Sequence, residues 1–252
     1  MRWQGLKAKC IVGLLTVSIT NMFAEPAATQ DASAPYWRLN SSRESNSQYF
    51  EGAKKDRLAI SIVNFEEAHI LLREHKRGSF MDRRIAVIPP DRQIPIELQI
   101  TAPGFAPDYL FETGFSFVSA RFREVAGVPL DKVQYLDAPC NICTPEAKAK
   151  DYKVLWVHHF EDVLDPARTI IRDPTRLTPE QLITTRDTYV YRDGHQVGSP
   201  VFHLADRGFL MVTDALARRL ARAKLDGVAL EDLTSLTPDL QWRTLEPGDL
   251  AE

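Results

Sequence analysis

Along the chain the spacing of apolar residues switches between alternation and a three-to-four residue rhythm, as it does where short strands are interleaved with a few helices. Leu58, Ile60 and Ile62 alternate with smaller or polar neighbours and predict a strand. Asn64 and Glu67 then make a capping box for a helix with Ala68, Leu71 and Leu72 on one face, and Gly78 is its stop. Two further strands are predicted at residues 84–88 and 94–100. In the second, Ile94, Ile96, Leu98 and Ile100 share a face, while Pro95 has no N–H and puts the strand at an edge or turns that nitrogen outward. Residues 152–158 form another strand. Residues 188–192 and 195–197 flank Asp193-Gly194, a dipeptide suited to a tight hairpin turn. The clearest helix runs over residues 214–224.

Two stretches follow one plan. Residues 115–136 (FSFVSARFREVAGVPLDKVQYL) and 209–230 (FLMVTDALARRLARAKLDGVAL) superimpose with one added residue in the second. In each, an apolar strand ends on Val118 or Val212, and a hydroxyl residue follows, Ser119 or Thr213. Such a hydroxyl at a helix start accepts from a free backbone N–H, which is worth about 1 kcal/mol. The helices carry Phe122 and Val125, or Leu216 and Leu220, and each copy closes on Leu-Asp and a valine: Leu130, Asp131 and Val133, or Leu225, Asp226 and Val228. A strand–helix–strand unit leaves an apolar face to be covered, and two copies can cover each other. The expected fold is therefore α+β, with mixed and antiparallel sheets, few helices and two related strand–helix–strand modules. Ser119 and Thr213 are read as structural helix caps rather than nucleophiles.

The start of the chain differs from the rest. Arg2, Lys7 and Lys9 precede an apolar run from Cys10 to Ile19, and Ala24 offers a cleavage point, so residues 1–24 read as a signal peptide. The run is shorter than the roughly 20 residues that span a bilayer. The expected location is periplasmic or secreted. The alternative is an uncleaved membrane anchor, since Met22 is large for its place before the cleavage point. Residues 25–34 are a polar spacer, the folded domain is expected over 35–236, and 237–252 form a polar tail. The chain has 31 basic and 34 acidic residues; without the leader's three basic residues this becomes 28 against 34, a net charge of about −6. With that balance nucleic acid is not an expected partner, and no stable membrane insertion is expected once the leader is gone.

Chemistry-bearing residues are few. Cys140 and Cys143 form CNIC between Pro139 and Pro145, which reads as a local disulfide in an oxidising compartment rather than a redox pair at a helix start. His158 and His159, with Glu161 and Asp162, have the types of metal ligands, but neighbours on a strand point to opposite faces; His195 or His203 would have to join one of them. No GxSxG, HExxH or phosphate-binding loop occurs. Arg218, Arg219, Arg222 and Lys224 come late in a helix, where cations suit the carbonyl end. No cofactor, metal or catalytic residue is expected.

The repeat and its surroundings resemble the immunity protein 11 family, also called domain of unknown function 1629, found beside toxins of bacterial competition systems. The likeness lies in the Val-Ser strand end and helix within Phe117 to Leu136, in Val154, Leu155 and Val157 followed by Leu164-Asp165, and in Phe202, Val212-Thr213 and Gly227-Val228. Pro107-Asp108-Tyr109-Leu110 also fits. The resemblance covers roughly residues 85–236 and departs at the leader, which many relatives lack. It implies a non-catalytic protein that binds and neutralises a cognate toxin, here in the periplasm. The alternative is a periplasmic hydrolase or metal-dependent enzyme using His158 or His159.

Overall fold

The structure is a computed structural model that describes residues 35–42, 60–77, 84–171, 187–205, 208–236 and 242–245. The leader, the spacer, Leu58, Gly78 and most of the tail lie outside these. The fold is α+β, organised around two large sheets. Sheet 1 is built from β6 (Tyr109–Glu112), β7 (Phe115–Val118), β8 (Val133–Asp137) and β10 (Lys153–Val157), in the order β6-β7-β10-β8. Sheet 2 contains β1 (Tyr36–Ser41), β11 (Phe160–Glu161), β12 (Val201–Leu204), β13 (Leu210–Thr213), β14 (Val228–Leu236) and β15 (Trp242–Thr244). Its order is β11-β12-β13-β1-β14-β15. Helix α2 (Ala120–Ala126) joins β7 to β8, and α4 (Asp214–Arg222) joins β13 to β14. Between them in the chain lie β9 (Ile142–Cys143) and the short helix α3 (Pro145–Lys148). The remaining elements, β2 (Ile60–Ile62), α1 (Phe65–His75), β3 (Lys76–Arg77), β4 (Arg84–Ile85) and β5 (Leu98–Ile100), come between β1 and β6.

The four strands of sheet 1 are matched one by one by the four central strands of sheet 2, β12-β13-β1-β14. Val118 of β7 stands opposite Tyr109 on one side and Lys153 on the other. Val212 of β13 stands opposite Val201 and Trp37 in the same way. Four residues along, Val157 of β10 faces Val133 of β8, and Ser41 of β1 faces Val228 of β14. Even the link before the helix repeats: Ser119 N–H donates to the Asp108 carbonyl at 2.9 Å, and Thr213 N–H to the Pro200 carbonyl at 3.0 Å.

This register enlarges the repeat. Residues 36–137 and 153–236 each run through a middle strand, a covering segment, an outer strand that is an edge only in sheet 1, an inner strand, a helix and a return strand. Each middle strand lies in the sheet of the other copy: β1 between β13 and β14, β10 between β7 and β8. The outer–inner turns also agree. Thr113 and Gly114 both have positive φ, 47° and 87°, as a two-residue hairpin requires, and Gly208 has φ 63° at the equivalent place.

Alternation along the strands sorts the side chains into three layers. Val118, Leu155 and Val157 of sheet 1 meet Trp37, Val212 and Leu230 of sheet 2 in one buried cluster with Phe122 of α2 and Leu216 and Leu220 of α4. The two copies thus cover each other. On the far side of sheet 1, Phe117, Leu136, Val154 and Trp156 pack on Ile60, Leu71, Ile96, Leu98 and Ile100. On the far side of sheet 2, Tyr36, Phe202, Met211 and Leu233 pack on Val163, Leu164, Tyr189 and Tyr191. Strands covered on both faces carry apolar residues at consecutive positions, as in Val154–Val157.

Several local expectations are corrected. The Asn64 side chain does not close a capping box: its Oδ1 accepts from Glu97 N–H and its Nδ2 donates to the Pro95 carbonyl, both at 2.9 Å. The side chain clamps the approach to β5 instead. Of residues 94–100 only Leu98–Ile100 enter a ladder, with β2 and β9; Ile96 is fully buried, but its N–H goes to the Asp137 carbonyl. Residues 84–88 shorten to β4. Asp193-Gly194 makes a turn but no hairpin, because residues 188 and 191 bridge to Ile170 and Leu164 rather than to 195–197. The long helix ends at Arg222.

Candidate functional site

The two hydroxyls of the repeat have different fates. Ser119 Oγ accepts from Phe122 N–H at 3.0 Å, so it caps α2, and it donates to Asp108 Oδ1 at 2.7 Å. With its donor and acceptor both engaged and only 1% of its surface exposed, it is not placed to attack a substrate. Thr213 occupies the same position before α4, yet its side chain makes no capping bond. The next residue ties that helix start to the sheet: Asp214 Oδ1 accepts from Trp37 Nε1 at 2.9 Å and Oδ2 from Arg218 at 2.8 Å.

Asp108, in the Pro107–Leu110 run, is a buried node to which the sequence alone assigned no role. Its side chain is fully buried. Oδ1 also accepts from Lys150 Nζ at 2.9 Å, and Oδ2 from Asp226 N–H at 3.1 Å, with Arg121 at 3.6 Å. In return, the Asp226 carbonyl accepts from the N–H groups of Asp108 and Tyr109 at 2.7 and 3.1 Å. Burial pushes the Asp108 pKa up, but the bonds from Lys150, Ser119 and Asp226 outweigh it and hold the carboxyl below its ordinary value. The node fastens the first copy to the turn before β14. Its only sequence signal is one acid at the head of an apolar strand.

Where the copies meet, a cleft of about 160 Å³ opens between the sheets. Its lining is paired by the repeat: Phe111 with His203, Gly114 with Gly208, Phe115 with Phe209, and Leu39 with Leu155. The cleft therefore lies on the axis that relates the copies. Arg38 holds Glu231 Oε2 at 3.1 Å and stacks on the Phe209 ring at 4.4 Å, and Asn40 donates to the other Glu231 oxygen at 3.3 Å. Deeper in, the Tyr109 hydroxyl is bonded to Ser116 Oγ at 3.1 Å, and burial pushes its pKa up to about 12. Phe111 stands half exposed at the rim. Leu72 of α1 lies against Gly114, so the helix carrying the exposed Phe65 and Ile70 borders the same turn. Aromatic faces beside a partly buried, paired cation suit the capture of a projecting side chain.

The histidines are spread over several places. His159 Nε2 meets Glu161 Oε1 at 2.7 Å, and His195 Nε2 approaches Oε2 at 3.7 Å, while Gly198 N–H donates to Oε1 at 2.7 Å. Burial raises the Glu161 pKa, but those bonds and charges bring it below normal. For His158, burial first and then the charges of His159 and Lys132 lower the pKa. His203 bonds the Gly208 carbonyl through Nδ1 at 3.0 Å and lies against Phe160. Asp162 pairs with Arg192 rather than with a histidine. Among the described residues, no group of three or more His, Cys, Asp or Glu is arranged to hold a metal ion. No helix of the described residues is long and apolar enough to cross a membrane.

Cys140 and Cys143 form a disulfide, with Cα atoms 5.4 Å apart. It links the exit of β8 to β9, where Cys143 Sγ accepts from Ile100 N–H at 3.2 Å. Compared with known proteins, the chain matches no protein-family model and no curated protein.

Proposed function

We propose that the chain is an immunity-type protein that binds a cognate antibacterial toxin in the periplasm and blocks it, with the inter-copy cleft as its anchor point. The observation that carries this reading is the cleft itself: two fused copies build a rigid rim of aromatic and polar groups around one opening. The positions behind the resemblance to the immunity protein 11 family add support, because they are framework positions. Val118-Ser119 ends β7, Asp108 is the inter-copy node, Val154, Leu155 and Val157 belong to β10, and Gly227-Val228 opens β14. Inhibition by occlusion needs no turnover, only about 800 Å² on each partner and a few buried anchors. The acidic balance steers encounter with a basic toxin.

The test is co-expression with the toxin encoded beside this gene. Wild-type chain protects the cell and co-purifies with the toxin. Phe111→Asp puts a charge at the rim, so it weakens the complex by about tenfold or more, the loss of one anchor worth about 2 kcal/mol, while leaving the melting temperature unchanged. Full lethality in the presence of folded wild-type protein, with no complex recovered, rules the reading out.

A further inference from the structure

The two sulfurs of the Cys140–Cys143 bridge differ in what surrounds them. Cys143 belongs to β9, where it stands opposite Ile100 of β5. Its Sγ accepts from Ile100 N–H at 3.2 Å and has the Leu98 carbonyl at 3.5 Å. Cys140 stands in the link between β8 and β9, and it lines an open hollow of about 410 Å³ that Cys143 does not line. Of the charged groups around the hollow, Lys153 pairs with Asp137 and Asp151 with Arg123, so among the described residues the uncompensated charge on its wall is Lys148. The flanking prolines, which count against a reactive pair in the sequence, have framework roles. Pro145 opens α3, a position that suits its missing N–H, and the Pro139 carbonyl accepts from Leu98 N–H at 2.9 Å. Thiol–disulfide exchange needs one sulfur open to an incoming thiolate and a second that is held as it leaves. Cys140 meets the first requirement and Cys143 the second.

We propose that this bridge is an exchange site for thiols, attacked at Cys140 from the hollow. The incoming thiolate bonds to Cys140 Sγ as the Cys140–Cys143 bond breaks, and the electron pair of that bond stays on Cys143 Sγ. Cys143 leaves as a thiolate bonded by Ile100 N–H; when it takes a proton from solvent, the new S–H has the Leu98 carbonyl as its acceptor. A second thiolate of the reductant then attacks the reductant's own sulfur in the mixed disulfide. Cys140 departs as a thiolate, the reductant carries away a new disulfide, and two electrons have passed to the protein. The pairing of β9 with β5 fixes Cys143 by its backbone, so the leaving sulfur stays beside its donor. This activity stands apart from the binding of a toxin at the cleft.

Reduced glutathione tests this on the folded full-length chain at neutral pH. Samples are quenched with iodoacetamide and mapped by tandem mass spectrometry, which reads Cys10 separately. Glutathione on Cys140 with the alkyl group on Cys143 is expected to exceed the opposite pattern by about tenfold or more, at a rate proportional to glutathione concentration. An even or opposite pattern, or a rate that levels off at the rate of global unfolding, overturns the proposal. Where the mixed disulfide is too short-lived to map, Lys148→Glu decides. Glutathione is an anion, so this variant opens the bridge about threefold or more slowly than wild type, with an unchanged melting temperature; no slowing overturns attack from the hollow.

Discussion

Replacing Lys150 by Met keeps the aliphatic stem and removes the charge facing Asp108. Asp108 is left with Ser119 Oγ and Asp226 N–H as its near donors, while its carboxylate stays out of solvent. Removing one member of a buried ion pair costs about 3–5 kcal/mol. Because the Lys150 side chain is 24% exposed, solvent screening brings this to about 2–3 kcal/mol. The pH dependence separates a charge effect from a packing effect. In the wild-type protein the folded-state pKa of Asp108 is depressed. Its stabilisation is thus fully present above the unfolded value of about 3.9 and is lost as pH falls through the folded value. In Lys150→Met the strongest bond that lowers the pKa is gone and burial dominates, so the folded pKa rises above the unfolded one. The penalty is then largest at neutral pH and shrinks as pH falls through that raised value. Urea titrations of both proteins at pH 7, 5.5 and 4 read the difference directly. A stability gap of about 2–3 kcal/mol at pH 7 that narrows toward pH 4 is the expected result; a gap constant over that range refutes the electrostatic account.

The paired hydroxyls give a contrast. Ser119→Ala loses a cap worth about 1 kcal/mol and a bond to a charged group worth about 1.5–3 kcal/mol, whereas Thr213→Ala stays within about 0.5 kcal/mol; chemical denaturation of the two variants checks the difference. Changing both Cys140 and Cys143 to Ser opens a small ring and costs about 2 kcal/mol on the chain-entropy account, measurable as a lower urea midpoint that reducing agent reproduces in the wild-type protein. His159→Ala releases one partner of Glu161; the expected zinc content by mass spectrometry is unchanged and far below one ion per chain, and a stoichiometric ion lost in the variant supports the metal-dependent alternative.

Local periodicity made much of the fold legible. The alternation in Ile94, Ile96, Leu98 and Ile100 marks a buried face although only part of it enters a ladder, because side-chain burial follows the pleat while pairing depends on a distant partner. The repeat was readable where strand, hydroxyl and helix are contiguous. Its larger extent was not, because β1 (YWRLNS) and β10 (KVLWV) share a place in the register rather than a sequence. Residue type also tells capacity and not use: Asn64 and Thr213 both have capping groups, and the first is spent on Pro95 and Glu97 while the second makes no capping bond. Asp193-Gly194 turns the chain, but nothing local fixes which strands its arms join. Asp108 became visible only when Asp226 and Lys150, far along the chain, came to meet it.

The placement of β1 also sets an order of events in time. Sheet 2 needs residues 36–41 and residues 228–236 together, so it cannot close before residues 228–236 have been synthesised. Contacts of such long sequence separation slow folding, since the loop entropy is lost before the pairing repays it. Sheet 1 pairs no strand beyond Val157 and so can assemble before sheet 2, leaving Trp37 and Leu39 without their neighbours until β13 and β14 follow.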